Sequence, residues 1–291
     1  MNIYDIAKLA NVSIATVSRV VNNSPKVSPK TKEKVLAVMK ENEYTPNAFA
    51  RGLGLGSMKT VGIICPNIDD IYMAKAVSYL EQNLHAHGYD CILGCSGFKQ
   101  EEKEDYVRLL LSKKIDTLIL VGSTYAGNGK DESDTDYIRE AAEQVSIFMI
   151  NAKVSGDNIY CTYADDFQAT YEVTKAFIRR GKEKILFMYD SESYSARQKM
   201  AGYEAALQDA GYPIRGNLKF KTKNDIEYTR DMLLEYNRTL DFDSVLATED
   251  GIAIGAVKYA KIKGLAIPEE LAVVGYNNSI LAISSDPELT S

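Results

Sequence analysis

Ile3-Tyr4-Asp5-Ile6-Ala7-Lys8-Leu9-Ala10-Asn11-Val12-Ser13-Ile14-Ala15-Thr16-Val17-Ser18-Arg19-Val20-Val21-Asn22 carries two short helical patterns separated by three residues. In the first, Ile3, Ile6, Ala7, Leu9 and Ala10 fall at i, i+3, i+4, i+6 and i+7, an apolar stripe at helical spacing. A helix this short must pack on something. Asn11-Val12-Ser13 breaks the pattern, and Ser13 is placed to cap a second helix from Ile14 to about Asn22, whose Val17, Val20 and Val21 can face the first. A third helix is announced by Ser28 as N-cap and Pro29 at the first helical position. It continues from Thr31 to about Asn42, with Val35, Leu36, Val38 and Met39 at core spacing. Helix, three-residue turn, helix is the layout that sets a recognition helix in the DNA major groove.

Charge agrees once it is divided along the chain. The 291 residues hold 34 Lys and Arg against 40 Asp and Glu, a net −6 that on its own argues against nucleic acid. Residues 1–60, however, hold nine basic and four acidic side chains, a net +5, which leaves −11 on the remaining 231. A small basic head on a large acidic body suits a nucleic-acid reader attached to something else. The length suggests roughly two domains, and 45% hydrophobic residues supply real cores. Met1 to Val12 has no apolar run of signal-peptide length, and no later stretch approaches the roughly 20 apolar residues of a membrane span. Cys65, Cys91, Cys95 and Cys161 are scattered without a Cys-x-x-Cys pair, as expected of reduced thiols in a cytoplasmic protein.

The second helix presents Ile14, Ala15, Thr16, Ser18, Arg19 and Asn22 away from its core. Arg19 can donate two hydrogen bonds to guanine, and Ile14 and Ala15 can touch a thymine methyl. The hydroxyls of Ser13, Thr16, Ser18 and Thr31, the amide of Asn22 and the phenols of Tyr4 and Tyr44 suit phosphate, which positions the helix without reading bases.

From Ile3 to Asn22 the sequence resembles, nearly residue for residue, the headpiece of the lactose repressor family of bacterial transcription regulators. The likeness continues through Val27-Ser28 and Tyr44-Thr45-Pro46-Asn47-Ala48-Phe49-Ala50-Arg51-Gly52-Leu53, the family's hinge motif, and later segments fit as well. The resemblance implies a hinge helix from Asn47 to about Leu53 that contacts DNA through Asn47, Ala50, Arg51 and Leu53. The residue matching Leu53 is the one that wedges between base pairs in the minor groove. Two turns of isolated helix weakened by Gly52 are marginal in water, so this hinge is expected to fold on the operator.

After Thr60, short apolar runs alternate with helical patterns. Strands are expected at 61–66, 89–95, 115–121 and 145–150, with helices near 71–87, 101–111 and 137–144. A second set has strands at 158–162, 184–189, 217–220, 244–248 and 271–276, with helices near 166–179, 196–210, 226–236 and 251–261. Such alternation implies parallel sheets covered by helices, and its repetition implies two lobes with a cleft at the strands' carboxyl ends. The expected architecture is an all-α helix-turn-helix headpiece (residues 1–45), a hinge helix and linker (46–60), and an α/β two-lobed, periplasmic-binding-protein-like domain (61–291).

By position, the resemblance places effector contacts at Asp69, Ile71 and Tyr72, at Ser123, at Asn151, at Ser195, Arg197 and Lys199, at Glu249 and Asp250, and at Asn277. Amides, carboxylates and an aromatic face suit a polyhydroxylated, sugar-like effector. Three positions depart from the family, which usually has Arg at Lys199, Asn at Glu249 and Asp at Asn277. The charge is therefore rearranged, and a phosphorylated or otherwise altered effector, or a protein partner, stays open. Asp165 is expected to support the lobe crossover.

The expected protein is a homodimeric, cytoplasmic, repressor-type regulator that binds a pseudo-palindromic operator and is controlled by a small effector. A catabolite-control-type body that docks a signalling protein is the alternative, and a solute-binding protein a weaker one. No cofactor, metal, catalytic residue or membrane partner is expected: His85 and His87, two residues apart, do not share a helical face, and no phosphate-binding or nucleophile motif occurs. The resemblance also implies a segment following Ser291 that completes the lobes and much of the dimer contact, so the chain is expected to be incomplete or a shortened member.

Overall fold

The computed structural model describes residues 1–45, 56–128, 131–236 and 241–291. The expected hinge helix and its Asn47, Ala50, Arg51 and Leu53 lie outside them.

Three helices form the head: α1 (Ile3–Leu9), α2 (Ile14–Val21) and α3 (Pro29–Glu41). Each begins where its cap is encoded. The Asn2 side chain accepts from the amides of Tyr4 and Asp5, and the Asp5 carboxylate accepts in turn from the Asn2 amide at 2.9 Å. The Ser13 and Ser28 hydroxyls accept from the amides of Thr16 and Thr31. Ile6, Ala7, Ala10, Val17, Val20, Val35 and Met39 close a core of their own. Two expected core residues lie outside it, Leu9 at 54% exposed and Leu36 at 44%. The geometry of a helix explains both. Leu9 stands about 240° around the axis from Ile3, and Leu36 about 100° from Val35, so each leaves the single face that α1 or α3 presents.

The body contains two all-parallel sheets. The first has five strands, β1 (Thr60–Cys65), β2 (Asp90–Cys95), β3 (Thr117–Val121), β4 (Ser146–Ile150) and β5 (Ile159–Thr162), in the order β2-β1-β3-β4-β5. The second has four, β6 (Ile185–Tyr189), β7 (Lys219–Lys221), β8 (Ser244–Ala247) and β9 (Ala272–Val274), in the order β7-β6-β8-β9. The strand expected at 158–162 thus joins the first sheet rather than the second set, because Ile159 pairs with Ile147 and Thr162 with Ile150. The lobe crossover follows it, and Asp165 caps the next helix by accepting from the Gln168 amide.

Alternation along the strands covers both faces of each sheet. In the first lobe Ile63 and Ile119 pack with Val77 of α4 (Ile71–Ala86). Ile64 and Leu120 pack on the other side with α5 (Gln100–Ser112) and α6 (Asp136–Ala142). In the second, Phe187 and Leu246 meet Phe177 of α7 (Asp166–Arg179) and Tyr203 of α8 (Tyr194–Asp209). Leu186 and Val245 meet α9 (Ile226–Tyr236) and α10 (Asp250–Lys263). Gly264, at φ +71°, ends α10 in the left-handed conformation that a residue with a Cβ resists. A short α11 (Ile280–Ser284) follows, which periodicity had not announced. Between head and body, Asp116 accepts from Ser57 and from the amides of Met58 and Thr60, all at 3.0 Å, fixing the chain where it enters β1. Among the described residues no helix is long and apolar enough to cross a membrane.

Candidate functional site

The structure offers two places where polar side chains gather with a use that the fold does not exhaust. The first is the exposed face of α2. Ile14 is 41% exposed, and Ala15 and Arg19 are open to solvent. Ser13 and Thr16 face each other, hydroxyl to hydroxyl at 2.9 Å, as do Ser28 and Thr31. Both pairs lie at helix N-termini, where amide dipoles favour a phosphate. Tyr4 on α1 is 66% exposed. Ser18 and Asn22 are half-buried, and the Asn22 side-chain oxygen is buried without a partner among the described residues. Tyr44 is half-buried, its ring packed against the head's core and its backbone amide held by the Met39 carbonyl at 2.9 Å.

The second place is the cleft between the lobes, where strands β1, β3, β4, β6 and β8 deliver their carboxyl ends. A cavity of about 590 Å³ is lined by Asp69, Ile71 and Tyr72 from the first lobe and by Glu249, Asp250 and Asn277 from the second. A narrower recess of about 100 Å³ adjoins it and takes Ser123, Asn151, Ser195 and Lys199. Ten of the eleven expected effector residues therefore converge on one cleft. Arg197 does not. Its guanidinium instead donates to the carbonyls of Gly127 (3.2 Å) and Glu192 (2.9 Å), tying the first lobe to the second outside the cavity.

Asp250 reaches the wall, but its carboxylate is engaged by the protein itself. It accepts from the amides of Tyr276 (2.9 Å) and Ser279 (2.7 Å) and from the Ser291 hydroxyl (2.6 Å), which makes it an organiser of the strand β9 end. Lys199 is 3% exposed; its ammonium donates to the Thr248 carbonyl at 3.0 Å and sits 3.5 Å from the centre of the Tyr276 ring. The Tyr276 phenol donates to Asp166, a residue 2% exposed at the start of α7. Two of the three positions that depart from the family face each other directly: the Asn277 amide donates to Glu249 at 2.6 Å.

Sequence reasoning missed Asp190, Asp70, Asn67 and Tyr276, all of which line the cavity. Asp190 and Asn67 stand one or two residues beyond β6 and β1, so following every strand end would have found them.

Burial dominates the electrostatics. It raises the Asp190 carboxyl above its usual range, against a lowering by Lys199. Burial likewise pushes Glu249 up to about 8, opposed by Lys199 and reinforced by Asp190, Asp70 and Asp250. Tyr72 is raised by burial and by the nearby carboxylates of Asp166, Glu249 and Asp70.

A pH dependence follows. Between the ordinary carboxyl value of 4.5 and about 8 the folded protein keeps a proton on Glu249 that the unfolded chain has lost. Stability therefore falls as pH rises through that window. Thermal melting from pH 5 to 8.5 is expected to show a decline that Glu249→Gln flattens; an equal decline in the variant would remove Glu249 as its source.

Among the described residues, no group of three or more His, Cys, Asp or Glu side chains is arranged to hold a metal ion.

Comparison with known proteins covers both places. Residues 2–47 match the family described as bacterial regulatory proteins, lacI family. Residues 58–285 match that of periplasmic binding proteins and sugar binding domain of LacI family. An HTH-type transcriptional regulator of Lachnoclostridium phytofermentans is 48% identical over 100% of this chain and 87% of its own length. Catabolite control protein A of Priestia megaterium is 31% identical over 100% of this chain and 86% of its own. In fold, the Lac repressor dimer bound to operator superposes with a TM-score of 0.87 at 23% identity, covering 99% of this chain and 86% of that one.

Proposed function

The chain belongs to the LacI family and is a DNA-binding transcriptional regulator, and from that premise we propose that it works as a homodimeric repressor whose cleft binds a small hydroxylated effector. The reading divides the chain into a DNA-reading headpiece (1–45), a hinge and linker (46–60) and an effector-binding and dimerising body (61–291). Each headpiece reads one half-site of a pseudo-palindrome with Arg19, Ile14 and Ala15 at base edges, while Tyr4, Ser13, Thr16, Ser18, Asn22, Thr31 and Tyr44 position it on phosphate. In the hinge, Asn47, Ala50, Arg51 and Leu53 complete the contact.

The observation that carries the effector half is that Ser195 and Thr248, both on the recess, have buried hydroxyls without a hydrogen-bond partner among the described residues. Leaving a buried hydroxyl unbonded costs about 1–3 kcal/mol, which a ligand hydroxyl would recover. A body that served only to dock a signalling protein would give those groups no use. Effector binding shifts the lobes and so the spacing of the two hinges, a coupling of about 1–3 kcal/mol in typical regulators. The protein acts where DNA is, in the cytoplasm.

Sedimentation of the full chain with a duplex it selects tests the assembly. Two chains per duplex are expected, and binding tightens on halving the salt. One chain per duplex would contradict the dimer.

A further inference from the structure

Every charged side chain lining the 590 Å³ cavity is a carboxylate, with Asp70 on the first lobe facing Asp190 and Glu249 on the second. These three are close enough that each of the latter two feels the charge of Asp70, and Glu249 that of Asp190 as well. Lys199 offsets part of this charge at Asp190 and Glu249. Lys199 in the adjoining recess holds the Thr248 carbonyl and the Tyr276 ring. Lys103, on a neighbouring cavity, donates to the Thr124 carbonyl at 2.8 Å and lies over the Tyr125 ring. An anionic ligand would still meet more carboxylates than cations. A neutral one would leave that charge unused.

Carboxylates alone do not make a site, but the same cleft carries a second signal. Ser195 and Thr248 are 4% and 2% exposed, and their side-chain oxygens have no hydrogen-bond partner among the described residues. The aromatic residues Tyr72 and Phe98 line the same recess, and Tyr276 lines the larger cavity. Acidic groups, buried hydroxyls and ring faces together describe a ligand that is positively charged at one end, hydroxylated, and carries a ring or carbon face.

We propose that the effector is an amino sugar, its protonated amine held among Asp70, Asp190 and Glu249 and its hydroxyls reaching Ser195 and Thr248. This rests on the reading of the cleft as an effector site and narrows it: phosphorylated and neutral sugars are both disfavoured. Glu249 adds a signature. It is faced by Asp70, Tyr72, Asp190, Lys199, Asp250 and Asn277, and it keeps its proton at pH 7. An arriving ammonium stabilises the carboxylate, so binding releases a proton to solvent, whereas a neutral sugar releases none.

Calorimetric titration of the full chain at pH 7, in two buffers of different ionisation enthalpy, tests this. The probes are glucosamine, galactosamine and mannosamine, each beside its neutral parent hexose, with N-acetylglucosamine and glucosamine 6-phosphate as controls. At least one amine is expected to bind about 10-fold or more tighter than its parent, with proton release. Asp190→Asn and Glu249→Gln, each shown folded by circular dichroism, are expected to reduce that preference to within about 3-fold. A parent hexose, the acetylated sugar or the phosphate binding as tightly as the amines would overturn the amino-sugar assignment and leave the effector site standing. If no probe of any class binds, both the assignment and the effector reading of the cleft fall.

Discussion

Replacing Val17 by Asp is expected to abolish operator binding while the two-lobed body still melts at its own temperature. Val17 is fully buried at the centre of α2, in a core of only seven buried residues. A carboxylate there is set among apolar side chains, and the cost runs to several kcal/mol, comparable to the whole stability of so small a domain. The head should therefore unfold. The body's cores share no residue with that of the head, so their cooperative transition has no reason to move. Mobility shift on a selected duplex should report a loss of more than about 100-fold in affinity, with the main calorimetric transition unchanged. Binding within about threefold of the parent would mean that α2 does not present the reading surface.

Gly202→Ala is expected to do the converse and damage the second lobe. A Cβ at residue 202 would stand 2.1 Å from the Phe167 carbonyl oxygen and 2.4 Å from the Thr170 hydroxyl. Neither neighbour can yield cheaply. One is backbone of α7, and the Thr170 hydroxyl is wedged between the carbonyls of Asp166 (2.8 Å) and Lys199 (2.9 Å). Glycine here lets α7 and α8 approach so closely that a threonine on one bonds the backbone of the other. Separating them costs about 3 kcal/mol or more, or roughly 6–12 °C in Tm for a body of this size. It would also carry Lys199, three residues earlier on α8, away from Thr248 and Tyr276. Gly216→Ala is the control, since an added Cβ there meets nothing within 4 Å. Melting curves of the two variants should differ by that margin; a Gly202→Ala protein that melts with the parent would show that the helices slide apart at little cost.

What was legible in the sequence was mostly local. Ser13 and Ser28 cap the helices they were expected to cap, because a cap is settled within four residues. Strands such as Ile185–Tyr189 were visible as apolar runs bounded by turns. Decisions that depend on distant partners were not visible. The register that seats residues 159–162 on β4, and so assigns them to the first lobe, is made by side-chain fit across sheets, not by any pattern in those four residues. Arg197 sits at the opening of α8, as expected, yet its guanidinium found the Gly127 and Glu192 carbonyls, a choice fixed only when the lobes meet. The carboxylates of the cleft show the same limit. Asp70, Asp190 and Glu249 are far apart in sequence, and only the fold brings them together as one acidic wall. Net charge behaved alike: −6 for the whole chain concealed a basic head on an acidic body.

The most direct test of the account is selection of random duplexes by the full chain, with the Val17→Asp protein carried in parallel. The account predicts enrichment of one pseudo-palindrome, two half-sites each containing a guanine within reach of Arg19, bound with an affinity that falls steeply with salt and absent from the Val17→Asp pool. Recovery of no common sequence, or of the same sequence by both proteins, would contradict it.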